Sequence, residues 1–416
     1  KGPTATNTVH KQWRVWFKVK VLSFKLRFCN GDSDAQLTPA TAHAQTLCVI
    51  QKKHLSMKVK SDSQNIFILC CTFLIIVTNS CSSQSQSNKG NKIVQAKTDS
   101  NLLKYTTGVR SILEDSKGNI WFGSNSEGVC LLHNGEFEYF TTENGLSNNQ
   151  IRSIYEDKNG IIWFECGEGL SRYDGQQITN YKERNYNSRN EWKLDDNDLW
   201  FKGDETAGYN KLEGNPGVYQ YDGKKLSYRT LPVKTKVGQE NHYSISTNFV
   251  RSKNGAVWFG TYGALIGYNG SDFKVINDAS LGLNDETGHL HIRSILEDSK
   301  GSLWIGNNGI GVLKYDRKKV VNFTDQQKLK EEDTKGNSLE RVFSIGEDAS
   351  GNIWFGTAES GVWRYDGNSV KNFTKKDGLD GDLIWIIYKS KTGELWFGGG
   401  PNGVYRFNGE SFDRKY

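Results

Sequence analysis

A single methionine, Met57, stands in 416 residues. Residues 1–56 contain none and share no pattern with the rest of the chain, so they read as translated upstream sequence or a gene-model artefact rather than a domain. Long hydrophobic runs are missing as well. The strongest, "IFILCCTFLIIV" over 66–77, is short of the roughly 20 residues that a membrane-spanning helix needs. It comes after Lys58 and Lys60 and leads through small residues to Cys81, which is the layout of an export signal over 57–80. HExxH, GxSxG and phosphate-loop patterns are absent, so those metalloprotease, hydrolase and nucleotide-binding signatures supply no reading. One more absence appears when the leader is set aside. The chain carries a formal charge of +6, but residues 1–80 hold a surplus of eight positive charges, which leaves the remainder near −2. No basic stripe is left to argue for nucleic acid.

Cys81 is succeeded by the polar "SSQSQSNKGNK". We therefore expect Cys81 to be the lipidated N-terminal residue of a bacterial lipoprotein, with 81–100 as a tether, against plain secretion or an uncleaved anchor. The residues before it depart from the usual lipoprotein signal, since Thr78 and Asn79 stand where an aliphatic and a small residue are customary. Of the remaining cysteines only Cys130 and Cys166 lie beyond the leader. They are expected to be buried free thiols, with a disulfide as the alternative.

What the sequence does have is repetition. "EDSKGNIWFG" at 114–123 returns as "EDASGNIWFG" at 347–356, and five further copies align on a tryptophan. The seven are Trp121, Trp163, Trp200, Trp258, Trp304, Trp354 and Trp396, spaced by 42, 37, 58, 46, 50 and 42 residues. That period fits one four-stranded sheet with its turns, so we expect an all-β chain over 101–416, a seven-bladed β-propeller of four-stranded antiparallel blades. Within a unit, β-branched and aromatic runs alternate with Asp, Asn and Gly turns. The first turn, Asp115 to Gly118, pairs an Asp that can bond the turn backbone with a Gly suited to positive φ. The repeated tryptophans are expected to fill the space between blades. The glycines two residues later (Gly123, Gly260, Gly306, Gly356, Gly398) are expected to permit close backbone approach, with Glu165 breaking the pattern in blade two.

The consensus "V.SI.EDS.GNIWFGT..GV.RYDG....F" resembles the two-component regulator propeller repeat, found in bacterial sensor proteins and in free-standing exported propellers. Blade three, "EWKLDDNDLWFKG", departs most, with a shortened first hairpin. The resemblance implies signal sensing. No kinase, receiver or DNA-binding helix is written in the chain, so the expectation is a free-standing envelope propeller that binds a ligand or a partner protein.

Length variation falls on one face, called the top: the insertion 203–216 in blade three and the interblade segments before blades four, five and six. Such loops are where binding residues gather, or are merely tolerated insertions. A second variable set stands eleven residues before six of the repeat Trp: Arg110, Arg152, Thr247, Arg293, Phe343 and Trp385, with Glu191 taken as the counterpart in the shortened blade three. Guanidiniums and aromatic rings converging on a channel mouth suit a carboxylated or sulfated glycan or an acidic peptide. Alternatively the arginines pair with strand carboxylates such as Glu114, Glu156 and Glu297. No cofactor, metal site or catalytic residue is assigned. The enzyme alternative is an exported propeller lyase or hydrolase built on His289, His291, or His242 with Glu240.

Overall fold

The computed structural model describes residues 102–182, 190–202, 216–234, 240–401 and 403–416. Cys81, the expected export signal over 57–80, most of the 203–216 insertion and part of the loop before blade four lie outside these residues. Seven antiparallel sheets succeed one another, each meandering outward from the central channel. Six have four strands. Blade three has three among the described residues, and its channel-side edge is Leu199–Lys202, the strand that stands second elsewhere.

The "ED" pair explains how the blades are joined. In blade one Asp115 closes its own turn, its Oδ1 accepting from Lys117 N and Asn119 N at 2.9 Å each, while Gly118 takes φ 84°. Its Oδ2 takes the indole N–H of Trp121 at 2.9 Å. Asp157, Asp298 and Asp348 hold Trp163, Trp304 and Trp354 in the same way. The preceding Glu serves the neighbour: Glu156 Oε2 accepts from Ser116 N of blade one at 2.7 Å, and Glu347 Oε2 from Ser299 N of blade five at 2.8 Å. Blade four reverses the charge, with Arg251 reaching Asp196 Oδ1 in the blade-three turn at 3.1 Å. The carboxylates Glu114, Glu156 and Glu297 therefore belong to these clasps. Glu114 receives Lys391 N, and Glu297 receives Lys253 N and pairs with Arg317 at 2.8 Å.

Between blades lie the tryptophans. Trp121 is 3% exposed, with its ring 5.6 Å from Phe164 and 5.8 Å from Tyr173 of blade two; Trp354 meets Phe397 and Phe407 of blade seven at 5.4 and 5.0 Å. The glycine two residues later has a different reason from the expected one. A Cβ on Gly123 would come within 2.5 Å of Ile151 Cγ2 and collide with Ser111 Oγ; on Gly356 it would meet Ile384 Cγ2 at 2.7 Å. The close approach at these two glycines is thus made by side chains of the blade's own inner strand and of the next, while at Gly306 the backbone oxygen of Val342 joins them at 3.0 Å.

Blade three departs because residues 190–196 turn away from the channel. Trp192 Nε1 donates to Thr230 O on that blade's outer strand at 3.0 Å, and its ring lies 4.9 Å from Phe273 and 5.6 Å from Tyr268 of blade four. Among the described residues the ring closes without a shared strand: blade seven has four strands of its own (Ile384–Lys389 to Phe412–Arg414) and packs on blade one. Glu114 N donates to Tyr388 Oη at 2.9 Å, Phe122 lies 5.1 Å from Tyr416, and Arg414 Nη2 reaches Leu103 O at 3.1 Å.

Candidate functional site

Five inner strands carry a register irregularity near their top end. Val109 pairs with Ser124 and Ser111 with Gly123, so Arg110 is left over; Ile151 and Ser153, Ile292 and Ser294, Val342 and Ser344, Ile384 and Ile386 bracket the same interruption. The residues inside these bulges are Arg110, Arg152, Arg293, Phe343 and Trp385. A bulge leaves one residue unpaired and re-aims its side chain, and here all five line one cavity of about 150 Å³ at the channel. Thr247 of blade four also lines it. The six positions singled out by spacing are therefore brought together.

The side chains are ordered among themselves. Arg293 lies over the Phe343 ring at 4.8 Å, Phe343 and Trp385 stand 5.2 Å apart at 31°, and Arg110 lies over Trp385 at 5.1 Å. An arc of cation, ring, ring and cation thus crosses blades five, six, seven and one. An aromatic ring beside a guanidinium helps hold it in position, and the planar donor fork of an arginine suits bidentate recognition of an oxyanion. Arg110 Nη1 donates to Asn125 Oδ1 at 3.2 Å and Arg152 Nε to Gln150 Oε1 at 3.2 Å, both neutral acceptors.

Two expectations change. Glu191 is exposed and does not line the cavity; in blade three the lining residue is Lys202. Thr247 is buried, and its hydroxyl is committed to backbone, accepting from Gly260 N at 2.8 Å and donating to Asn248 O at 2.7 Å.

Lys202 and Glu165 are the residues that sequence reasoning left out of the site. Both occupy the position two after the repeat Trp, which is glycine in the other five blades. Where blade three presents no innermost strand among the described residues, a side chain at Glu165 does not meet the Ile or Val that faces the other glycines. Its carboxylate accepts from Lys202 N at 2.6 Å and stands 3.3 Å from Lys202 Nζ. Burial pushes the Lys202 ammonium pKa down, Glu165 opposes that, and Arg152 and Arg110 add to it. The departure from glycine at two consecutive blades, with opposite charges, was the available signal.

The histidines do not converge. His289 is exposed, with Nδ1 2.9 Å from Asp278 and Nε2 2.8 Å from Asp285, contacts that raise its pKa. His291 is half-buried beside Tyr262, and burial, Arg293 and Arg341 lower its pKa to about 4. His242 packs edge-on against Tyr243; the Glu240 side chain lies outside the described residues. Among the described residues no cluster of His, Cys, Asp or Glu is arranged to hold a metal. Cys130 and Cys166 are buried free thiols, and no described helix is long and apolar enough to cross a membrane.

Comparison with known proteins fits this geometry. The two component regulator propeller model matches residues 106–126, 145–164, 288–309 and 337–359. These stretches fall in blades one, two, five and six, the blades in which an Asp holds the Trp. No curated protein sequence matches the chain significantly. Among solved structures, the extracellular domain of a putative hybrid two-component system of B. thetaiotaomicron aligns with TM-score 0.54 and 19% identity over 72% of this chain and 38% of that one. A second such domain from the same organism gives 0.51 and 20%, over 74% and again 38%. The chain thus spans well under half the length of those structures. Virginiamycin B lyase of Staphylococcus aureus, in a catalytically inactive form with quinupristin, aligns with TM-score 0.53 and 16% identity over 73% of this chain and 96% of that one. At such identities the shared property is the fold. With the clasped blades and the closed ring, the chain is a seven-bladed propeller, four of whose blades match the two component regulator propeller model.

Proposed function

We propose that this propeller is a non-catalytic, sensor-type binding module of the bacterial cell envelope, tethered through a lipidated Cys81, and that its channel mouth takes an anionic ligand. The ligand chemistry is a carboxylate or sulfate attached to a body with a flat or apolar face, as on an acidic sugar or an acidic peptide. The observation that carries this reading is the cavity itself: Arg110, Arg152, Arg293 and Lys202 line it with Phe343 and Trp385, and among the described residues no carboxylate lines it. Guanidiniums already stacked on rings lose little freedom on binding, which lowers the ordering cost of recognition. Exported two-component propellers offer the matching context, since the structures this fold resembles include extracellular domains of such systems.

The test is calorimetric titration of the chain with trigalacturonate, a sulfated oligosaccharide, an aspartate-rich peptide and neutral galactotriose. Each of Arg110→Ala, Arg152→Ala and Arg293→Ala should weaken the anionic probe by about 1.5–3 kcal/mol, the range for hydrogen bonds to charged groups, and added salt should weaken it further. Unchanged binding in the triple variant would move the site elsewhere.

A further inference from the structure

The donors at the channel mouth extend beyond the bulge residues to Asn248, which lines the same cavity from blade four. Its Oδ1 accepts from Ser153 Oγ of blade two at 2.7 Å and from Lys202 Nζ of blade three at 3.4 Å. Lys202 Nζ also donates to Ser153 Oγ at 3.0 Å, and Glu165 stands behind it at 3.3 Å. An ammonium has only hydrogens to offer, so the end of the carboxamide facing it must be the oxygen. The Asn248 –NH2 group is then turned away from Lys202. The side chain that blade four places at bulge level, Thr247, is spent on backbone, so Asn248 is that blade's polar contribution.

We infer that Lys202 is a positioning residue for ligand selection: by holding Asn248 Oδ1 it commits the Asn248 amide to donate, and so tunes the mouth toward an acceptor-only group, a carboxylate or sulfate, over a hydroxyl. Released from Lys202 and Ser153, the carboxamide could present either end, and its oxygen would repel an oxyanion while accepting from a neutral sugar. The charged groups around Lys202 are Glu165, Arg152 and Arg110; only Glu165 favours the ammonium, and the two arginines disfavour it. The pair at the two non-glycine positions thus acts on the ligand through Asn248 rather than by touching it. This rests on the anionic-ligand reading above.

Titration of the whole chain with trigalacturonate and galactotriose tests it, using Asn248→Asp, Lys202→Met, Lys202→Arg and the triple arginine variant. Asn248→Asp changes an exposed residue and puts an acceptor where a donor is required; it should weaken trigalacturonate about tenfold and spare galactotriose. Lys202→Met should narrow the charged-to-neutral preference, and Lys202→Arg, which keeps the donors, should restore it. The side-chain amide resonances of Asn248, assigned by their loss in Asn248→Asp, should shift when trigalacturonate is added. If Asn248→Asp and Lys202→Met both hold trigalacturonate within about twofold of wild type while the triple variant loses it, the inference fails and the anionic-ligand reading stands. If the triple variant binds as wild type, or wild type binds neither trigalacturonate nor the other anionic probes, that reading fails and the inference with it.

Discussion

Glu165 Oε2 stands 3.3 Å from Lys202 Nζ, and the two side chains are 2% and 10% exposed. Removing one partner of a buried ion pair leaves the other charge uncompensated, which typically costs about 3–5 kcal/mol. Glu165→Gln should therefore destabilise the fold, and Glu165→Gly with Lys202→Gly together should cost less than the sum of the single changes. Because the Lys202 pKa is lowered in the folded state, the unfolded chain binds the extra proton, and stability rises with pH between the folded value and 10.5. Urea melts of wild type minus Lys202→Met across that window should show this slope.

Gly356→Ala should be destabilising by roughly 1–3 kcal/mol, the usual cost of overpacking, because the new methyl meets Ile384 Cγ2 at 2.7 Å. Thermal or urea unfolding reads it directly. A variant as stable as wild type would mean that neighbouring blades part easily at this level.

Burial pulls the carboxyls of Asp115 and Asp348 upward, but hydrogen bonds from the Trp indoles, the Asn side chains and the turn backbone outweigh it and hold both pKa values below 3.8. Their contribution to stability is complete above pH 3.8 and disappears as pH falls through the folded values. Asp348→Ala should lose about 1–3 kcal/mol by orphaning the buried Trp354 N–H, and its stability should fall less steeply than wild type on acidification below pH 3.8. Equal acid slopes in the two proteins would count against this carboxylate.

Burial raises the pKa of Cys130 to about 12, and it also pushes the Cys166 thiol up. Both should resist iodoacetamide in the native chain and react after denaturation, when peptide-resolved mass spectrometry is used to read each site. Rapid native alkylation of either would contradict their placement.

For the proposed tether, Cys81→Ser should abolish labelling by a fatty-acid analogue and release the protein from membranes. Persistent labelling would assign the lipid to another residue.

The blades were readable wherever one residue does one repeated job. Trp121 and its counterparts, the Asp turn and the glycine two residues on recur because each seam poses the same packing problem. Arg110, Arg152, Arg293, Phe343 and Trp385 could be found by spacing because the bulge falls at a constant distance from the Trp. Lys202 could not be placed so easily: its departure from glycine marks the position, but that it lines the channel while Trp192 packs against Phe273 is a tertiary outcome the local pattern does not specify. Asn248 was hidden for a related reason, since its partners come from blades two and three. The true role of Glu156 was also out of reach, because its hydrogen-bond donor lies 40 residues away in another blade.

Since blade seven takes no strand from the described residues ahead of blade one, the seam between blades seven and one is made of the same kinds of contact as the others: a tyrosine hydroxyl on a strand amide, a carboxylate on a turn, Gly398 against Val109. Sequence order and spatial order are therefore separable here. Leu103 and Arg414 already touch, so a covalent link across that seam and a cut in another interblade loop would yield a circular permutant with every blade-to-blade interface intact.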